Sequence, residues 1–253
     1  MLIREGDIPM GKWFQFPLRS ALKDHFVLEI CISDFCNLSC TFCCHATAEN
    51  TNKRTMLLED ISLLSRVIND YEFLAIKISG GEPTIHPEFE TIVRNMKASF
   101  KSHFYCLATN GKNLLQYRDL LGTFDSIEVS HYPGKNDQIV DAIRAANLEL
   151  PVDFIERIEG NSMHNVFEEP NQEKQNIFLR CRYPAWKKVV QGRIYPCSNI
   201  FGQAIRQGFD PNSVSVSVSR DWREAIKEID IEQYCRRCWV NVSDPCGTAC
   251  RLL

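Results

Sequence analysis

Three cysteines within eight residues, Cys36, Cys40 and Cys43, form the stretch of the chain best suited to chemistry. Three thiolates at this spacing can hold one metal centre, but structural zinc sites and ordinary 4Fe–4S sites use four protein ligands. A loop that is one ligand short therefore favours an iron–sulfur cluster with one iron left open to a cofactor or substrate. The alternative is a zinc site that takes its fourth ligand from elsewhere, such as Cys44 or His45.

The run Gly80-Gly81-Glu82-Pro83 is a second candidate site, because it directly follows a buried apolar stretch. Paired glycines allow the backbone to approach a ligand closely, and the carboxylate beside them can pair with an ammonium group. The alternative is a Gly-Gly turn that only reverses the chain. Polar residues after later apolar stretches are candidate contacts to a ribose or a carboxylate, with turn-forming and capping roles as the alternative: Thr109, Asn110 and Ser130.

The last third of the chain holds a second group of cysteines: Cys181, Cys197, Cys235, Cys238, Cys246 and Cys250. Twelve cysteines are many for 253 residues. Disulfides in a secreted protein and metal or redox chemistry in a reducing compartment are the two explanations. The short spacings within each group are typical of metal ligands. Cys31 and Cys106 differ, because they alternate within apolar stretches, and we interpret them as small core residues.

The elements that must position these residues alternate along the chain. Apolar stretches predict strands over residues 26–32, 73–78, 104–108, 126–129 and 152–155, and helical spacing predicts helices over residues 57–71, 89–96, 113–121 and 137–146. Such alternation predicts an α/β fold with a parallel sheet. The candidate residues follow directly after the strands, at the sheet edge where parallel α/β folds build their sites.

The pattern changes near residue 180, which predicts a smaller second domain. Residues 186–190 and 193–195, separated by Gln191-Gly192, predict a β-hairpin. Residues 221–229 have helical spacing, and Val alternates with Ser over residues 213–219 in a strand-like period. We therefore divide the chain into a lead-in over residues 1–25, an α/β domain over residues 26–176 and a metal-tied domain over residues 177–253.

The spacing Cys-x3-Cys-x2-Cys, with the aromatic Phe42 before its last cysteine, resembles the signature of the radical S-adenosylmethionine (SAM) superfamily. The resemblance implies a partial (β/α)6 TIM-like barrel and a 4Fe–4S cluster whose open iron is chelated by SAM. It also implies that Gly80-Gly81-Glu82-Pro83 holds the SAM amino group, with Phe42 among the cofactor-binding residues. Cleavage of SAM in this family gives a 5′-deoxyadenosyl radical, and a ferredoxin- or flavodoxin-like donor supplies the electron.

The C-terminal spacing Cys-x10-Gly-x4-Cys followed by Cys-x2-Cys-x7-Cys-x3-Cys resembles the SPASM and twitch extensions of that superfamily. The resemblance implies a small C-terminal Fe–S domain with one auxiliary 4Fe–4S cluster. Its ligands would be Cys181, Cys197, Cys235 and Cys238. A second cluster would use Cys246 and Cys250 but would lack one ligand, so we prefer a single one. Structural zinc is the alternative for the whole domain.

Composition excludes several classes of function. The formal net charge is −3, from 29 basic and 32 acidic residues, which gives no electrostatic basis for binding nucleic acid or an anionic membrane. The N-terminus shows no basic region followed by an apolar core, so we predict no signal peptide. No apolar run approaches the length of a membrane span. We therefore predict a cytoplasmic protein.

A compact barrel with a twitch-like extension resembles the aminocyclitol dehydrogenase type. This resemblance implies a radical SAM oxidoreductase that oxidises a small polar metabolite, such as a sugar or cyclitol, with the auxiliary cluster accepting an electron. Three alternatives stay open. These are a SPASM-type peptide or protein maturase, a different radical reaction such as epimerisation or carbon–carbon bond formation, and a zinc-stabilised binding module without enzymatic activity.

Candidate catalytic residues follow the fourth and fifth strands. His131 and Tyr132 are candidates for contact with substrate or SAM. Arg157 could bind a hydroxyl group or an anion, although a surface salt bridge is the simpler interpretation. We interpret His86 as structural and the pair Lys187-Lys188 as a solvated strand edge.

Overall fold

The computed structural model describes residues 27–40, 43–68, 70–157 and 186–238. Eight strands are present in these ranges: β1 (Val27–Cys31), β2 (Glu72–Ser79), β3 (Lys101–Thr109), β4 (Ser126–His131), β5 (Val152–Glu156), β6 (Trp186–Val190), β7 (Arg193–Tyr195) and β8 (Val216–Ser217). The helices are α1 (Leu58–Ile68), α2 (Phe89–Ser99), α3 (Arg118–Leu121), α4 (Asp137–Ala145), α5 (Ile200–Arg206), α6 (Trp222–Ala225) and α7 (Glu232–Cys235). Within this part of the chain, no helix is long and apolar enough to cross a membrane.

The eight strands form one open sheet in the order β5-β4-β3-β2-β1-β6-β7-β8. The first five strands pair in parallel with their neighbours in chain order, and β6 pairs in parallel on the free side of β1. Helices α1, α2 and α4 lie between successive parallel strands. The predicted α/β partial-barrel fold is therefore confirmed, and its last parallel strand comes from the C-terminal region.

Helix α1 shows why these segments fold as they do. Its buried side chains Ile61, Leu64 and Ile68 recur at helical spacing and face the core under the sheet. Acidic residues occupy its first turn and Arg66 its last, which complements the helix dipole. The strands carry near-continuous apolar runs because helices cover the outer face of the parallel sheet.

The five strands predicted before residue 157 are all present, and so is the hairpin of β6 and β7, which pair antiparallel. Cys31 and Cys106 are buried core residues, as expected. Hairpin strand β6 continues the main sheet. The predicted boundary near residue 177 lies outside the described residues and stays a prediction.

Three predicted elements differ from the structure. Residues 113–121 form a 3-10 turn, Leu114–Tyr117, followed by the short helix α3, and Tyr117 at the junction packs edge-on against Phe89. Residues 221–229 divide into α6 and a 3-10 turn, Ile226–Glu228. Of residues 213–219 only Val216–Ser217 pair as a strand, because Asp210 caps a 3-10 turn, Pro211–Val214, that buries Val214.

Candidate functional site

The cysteine loop lies against the motif that follows β2. The backbone N–H of Gly81 donates to Ser33 O at 2.7 Å, and that of Glu82 donates to Phe35 O at 2.8 Å. A Cβ atom at Gly80 or Gly81 would overlap these same carbonyl groups. The paired glycines are therefore needed because the loop that carries Cys36 crosses directly over them.

Glu82 is fully buried, and its carboxylate ties the turn after β2 to the end of β3. Its Oε1 accepts hydrogen bonds from Thr84 N at 3.1 Å and Thr109 Oγ1 at 2.6 Å, and its Oε2 accepts from Asn110 N at 2.6 Å. Burial raises the pKa of Glu82, and these donors offset part of that shift. Asn110 then donates from Nδ2 to Asn37 Oδ1 at 2.8 Å, inside the cysteine loop. The carboxylate thus positions the loop through Asn110.

The thiols of Cys36, Cys40 and Cys43 line one cleft at the carboxyl ends of the strands. Burial raises the pKa of Cys36 to about 11 and also raises the pKa values of Cys40 and Cys43. Each sulfur has a polar neighbour: Asn110 Nδ2 is 3.8 Å from Cys36 Sγ, the Tyr132 side chain bonds to Cys40, and Thr47 Oγ1 is 3.3 Å from Cys43 Sγ. All three cysteines are free thiols.

This donor set fits an iron–sulfur cluster. In the described ranges, no three His, Cys, Asp or Glu side chains converge as ligands of a single ion. A cluster does not require such convergence, because its thiolates bind different iron atoms. Three thiols around one cleft, with glycine backbone beneath them, suit a group of that size. Deprotonating these thiols on metal binding would release protons.

The cleft brings most of the predicted cofactor-binding residues together. Besides the three thiols it is lined by Gly80, Gly81, Thr109, Asn110, Ser130, Tyr132 and Arg157. Pro83 is buried and begins a 3-10 turn behind Glu82. Phe42, Cys181, Cys246 and Cys250 lie outside the described residues. His131 is not among the lining residues of the described chain, and its Nε2 is 2.7 Å from Asp137 Oδ1.

A row of buried charges crosses the interior of the sheet below the thiols. Glu29 on β1 is paired in register with Lys188 on β6 and with Lys77 on β2. Lys188 Nζ lies 3.3 Å from Glu29 Oε1, and Lys77 Nζ lies 2.8 Å from Glu128 Oε2. Lys77 reaches Glu128 across β3 because the strand presents Cys106 and Ala108, both small, between them.

Charge pairing keeps this row ionised. Burial alone would raise the pKa of Glu29, but Lys188 and Lys77 lower it to about 2. Burial also opposes the charge of Glu128, but Lys77 and Arg157 hold its pKa below the usual value. Burial lowers the pKa of His45 to about 3, and the charge of Lys188 adds to this shift. His45 is therefore neutral and accepts a hydrogen bond from Lys188 Nζ at 2.8 Å.

Sequence reasoning missed most of this row. Lys188 is 1% exposed and lies between β1 and β7, so the expectation of a solvated strand edge at Lys187-Lys188 is wrong. Arg157 makes a buried ion pair with Glu128 at 3.1 Å, not a surface one. The available signal was a charged residue at the centre of an apolar strand, as at Glu29 and Lys77. His86 is buried and bonds to Met56 O at 2.8 Å, as a structural residue would.

The described C-terminal cysteines are Cys197, Cys235 and Cys238. Cys197 and Cys235 pack against one apolar cluster, which includes Tyr195 and Tyr234. Burial raises the pKa of Cys197 to about 12, and the charge of Cys238 acts in the same direction, which places the two thiols near each other. Gln203 Nε2 on α5 donates to Cys238 Sγ at 3.0 Å. Neighbouring thiols of this kind fit a metal or cluster site.

Helix α5 contacts both groups of cysteines. Arg206 NH2 donates to Cys43 O at 2.8 Å, and a Cβ atom at Gly202 would overlap the carbonyl oxygen of Cys44. Gln203 on the same helix contacts Cys238. One short helix, held against the loop by its glycine, therefore links the thiols of the cleft to the C-terminal thiols.

More than half of the chain matches a known protein family. Residues 30–166 match the family described as the Radical SAM superfamily. A relative described as "Probable GTP 3',8-cyclase" from Saccharolobus islandicus (strain Y.N.15.51 / Yellowstone #2) is 33% identical over 105 residues, which cover 41% of this chain. A protein of the same description from Methanocaldococcus jannaschii is 33% identical over 95 residues. The chain spans about a third of the length of these curated relatives.

Solved structures share the fold over most of the chain. BtrN in complex with AdoMet and 2-DOIA aligns with a TM-score of 0.59 and 16% identity, covering 85% of this chain and 86% of BtrN. The protein anSMEcpe with bound AdoMet aligns with a TM-score of 0.56 and 13% identity, covering 83% and 82% of the two chains. At such identities the likeness is one of fold, and it extends beyond the matched family region.

Proposed function

Since the chain belongs to the radical SAM superfamily, we propose that it is an oxidoreductase that acts on a small polar metabolite. The observation that carries this proposal is the cleft itself. It combines three thiols, a glycine-lined edge and a wall of buried charged side chains in one space. The chain's own residues supply binding and orientation there, while the bound groups supply the difficult chemistry.

The residues that would hold the cofactors are those at the mouth of the cleft. Cys36, Cys40 and Cys43 would bind a 4Fe–4S cluster, with SAM at its open iron. Gly80 and Gly81 would face the SAM amino group, with Glu82 buried behind them and holding that edge in place, and Thr109, Asn110 and Ser130 would face the ribose or carboxylate. When bound, the cluster and SAM supply a 5′-deoxyadenosyl radical that abstracts hydrogen.

The C-terminal thiols support an auxiliary site within the same proposal. Cys197, Cys235 and Cys238, completed by Cys181, would hold one auxiliary cluster that accepts the second electron of the oxidation, after hydrogen abstraction has removed the first. Helix α5 supports this role, because it contacts the cleft loop at Cys43 and the C-terminal thiols at Cys238. A ferredoxin- or flavodoxin-like protein would be the electron donor.

Among the named candidates, Tyr132 and Arg157 line the cleft and would orient the substrate. The Tyr132 hydroxyl donates to Cys40, and burial holds the pKa of that hydroxyl well above the usual value, so the phenol stays protonated. BtrN, whose structure was determined with 2-DOIA, shares the fold of this chain, and a small-molecule substrate is consistent with that fold.

The test is anaerobic reconstitution with iron, sulfide, reductant and SAM. The proposal expects a brown protein with labile sulfide that releases 5′-deoxyadenosine, and product formation from a small molecule. A colourless protein that contains zinc and no labile sulfide would instead support a zinc-stabilised binding module. Release of 5′-deoxyadenosine that only a peptide stimulates would support a maturase.

A further inference from the structure

Asn136 is a buried residue, 2% exposed, whose side-chain amide is used entirely on residues that line the cleft. Its Nδ2 donates to Asn110 O and to Ser130 O, both at 2.9 Å, and its Oδ1 accepts from Tyr132 N at 2.7 Å. An asparagine amide has two N–H donors and one carbonyl oxygen, so only one orientation of the group satisfies these partners. All three partners line the cleft. One side chain therefore fastens three parts of the cleft wall.

The same residue is the N-cap of helix α4, but its side chain does not cap that helix. Asparagine is favoured at N-caps because its side-chain oxygen accepts from N–H groups of the first turn. Here only the backbone carbonyl of Asn136 serves the helix, accepting from Ile139 N at 3.1 Å and Val140 N at 3.0 Å. The side chain is given to the strand ends instead. A residue needed only to begin α4 would use its side chain on the helix.

The amide bridges β3 and β4 directly beyond their last paired residues. The two strands pair in register as far as Thr109 and Val129. Asn110 and Ser130 come next, and their carbonyl oxygens both accept from Nδ2 of Asn136. The amide therefore sets the separation of the two strand ends at the point where the cleft opens.

Two of the residues that Asn136 holds also contact thiols of the cleft. Asn110 Nδ2 lies 3.8 Å from Cys36 Sγ, and the Tyr132 hydroxyl bonds to Cys40. Hydrogen bonds to the sulfurs of a bound cluster contribute to its reduction potential. A residue that fixes these two donors therefore acts on that potential without touching the cluster.

We propose that Asn136 is a positioning residue that sets both the affinity of the cleft for SAM and the reduction potential of the cluster bound there. It acts on SAM through Asn110 and Ser130, and on the thiols through Asn110 and Tyr132. This inference rests on the proposed function, since SAM and the cluster are the groups assigned to the cleft. It adds a residue that lies outside both sequence motifs of the site.

The first test is Asn136→Ser, because serine is also favoured at an N-cap but lacks the amide that reaches the three partners. KM for SAM in the release of 5′-deoxyadenosine should rise about tenfold, with a smaller change in kcat. The reduction equilibrium of the cleft cluster should shift toward the oxidised form by about threefold, which is about 28 mV for one electron. Redox titration followed by electron paramagnetic resonance measures this shift, with the auxiliary cluster as internal reference.

Both shifts are required, and if either KM or the potential is unchanged the proposal fails. Stability does not separate a positioning role from a merely structural one, because the lost hydrogen bonds destabilise the protein in either case. A lower melting temperature with wild-type KM and potential is the result that a structural role predicts, and it overturns the proposal.

Asn136→Asp separates the contacts of the amide, because aspartate keeps an oxygen for Tyr132 N–H and lacks both N–H donors. KM for SAM should rise as in Asn136→Ser. In the apo proteins, the Tyr132 amide should exchange its hydrogen about tenfold faster in Asn136→Ser and stay protected in Asn136→Asp, as NMR would show. A wild-type exchange rate in Asn136→Ser overturns the inference. Aspartate also suits an N-cap, so this variant carries the KM measurement if Asn136→Ser fails to fold.

The matched control is Asn95→Ser, which removes an exposed hydrogen bond from Asn95 Nδ2 to Thr91 O on α2 and should leave KM, potential and exchange unchanged. The wild-type protein tests the proposed function separately. An assembled cluster without release of 5′-deoxyadenosine contradicts that function alone, and SAM binding by equilibrium dialysis then replaces KM in judging Asn136. Release by the wild type with unchanged KM or potential in Asn136→Ser contradicts this inference alone.

Discussion

The two groups of cysteines are held in different ways. Cys36, Cys40 and Cys43 lie on a loop that hydrogen bonds from Glu82, Asn110 and the backbone fasten to the ends of β2 and β3. Cys235 and Cys238 lie on and just after α7, a helix of four residues, and Cys197 follows the three-residue strand β7. The protein therefore builds the first site from its own parallel sheet. At the second, short elements suggest that bound metal contributes much of the order.

The largest expected effect comes from Cys36→Ala/Cys40→Ala/Cys43→Ala. Release of 5′-deoxyadenosine should fall to background, because the cleft loses all three thiols. The melting temperature of the apo protein should change little, because the Glu82 network that fastens the loop is intact. Both are measured on the same preparation by chromatography and circular dichroism. Wild-type rates of SAM cleavage would show that the ligand assignment is wrong.

The variant Cys235→Ala/Cys238→Ala tests the second group of cysteines in the same way. The iron and labile sulfide of the auxiliary site should be lost, and product formation should fall more than SAM cleavage. The melting temperature of the reconstituted protein should fall further than in the triple variant, because the proposed auxiliary cluster would order this region. Iron analysis and thermal melting check these outcomes. Equal loss of both activities would argue that the second site is only structural.

Glu82→Gln tests whether hydrogen bonds hold the first site. The amide keeps one acceptor oxygen, while its NH2 group faces donors from Thr109 or Asn110. Buried donors left unsatisfied cost about 1–3 kcal/mol, so the free energy of unfolding should fall by about that amount. Chemical denaturation of the apo protein measures it. A change no larger than that of Glu90→Gln, an exposed carboxylate on α2, would contradict this account.

The sequence predicts the first region better than the second, because the first is built from regular parallel strands and helices. The parallel strands and their helices have strong periodicity, so the fold could be predicted from the sequence. The first site follows strand ends, so the cleft-lining residues Gly80, Thr109 and Tyr132 could be predicted as well. The hairpin of β6 and β7 could be predicted from the turn residues Gln191-Gly192. The charged residues inside apolar strands gave a local signal, but the pairing of Lys188 with Glu29 did not, because the two become neighbours only when β6 joins β1. That pairing links residues about 160 positions apart, and local patterns do not encode it.

Helix α5 contacts both groups of cysteines, and Gly202→Ala tests its packing against the cysteine loop. The added Cβ would meet the carbonyl of Cys44, which is backbone and can move only with the loop. Overpacking of this kind costs about 1–3 kcal/mol, and the displaced loop should slow release of 5′-deoxyadenosine. Denaturation and the SAM-cleavage assay measure the two effects. The matched control is Gly122→Ala, because Gly122 has a negative φ and an added Cβ atom there would meet no other atom within 4 Å. Gly208→Ala is unsuitable, because Gly208 has a positive φ that alanine adopts only with strain.

The smallest expected effect is also the most specific to the second region. The Gln203 amide donates to Cys238 Sγ at 3.0 Å, and hydrogen bonds to cluster sulfurs stabilise the reduced, more negative state. Gln203→Leu should therefore lower the reduction potential of the auxiliary cluster. A tenfold change in the reduction equilibrium, about 59 mV for one electron, is the upper range we expect.

Redox titration followed by electron paramagnetic resonance measures both clusters in one sample, so the cluster of the cleft serves as an internal reference. The matched control is Gln207→Leu, one turn further along, whose amide has no hydrogen-bond partner within the described chain. A shift of the auxiliary potential alone would show that α5 tunes the second site chemically while it packs against the first. Equal shifts of both potentials would mean that the helix acts only by displacing the loop, and the two regions would then be one mechanical unit.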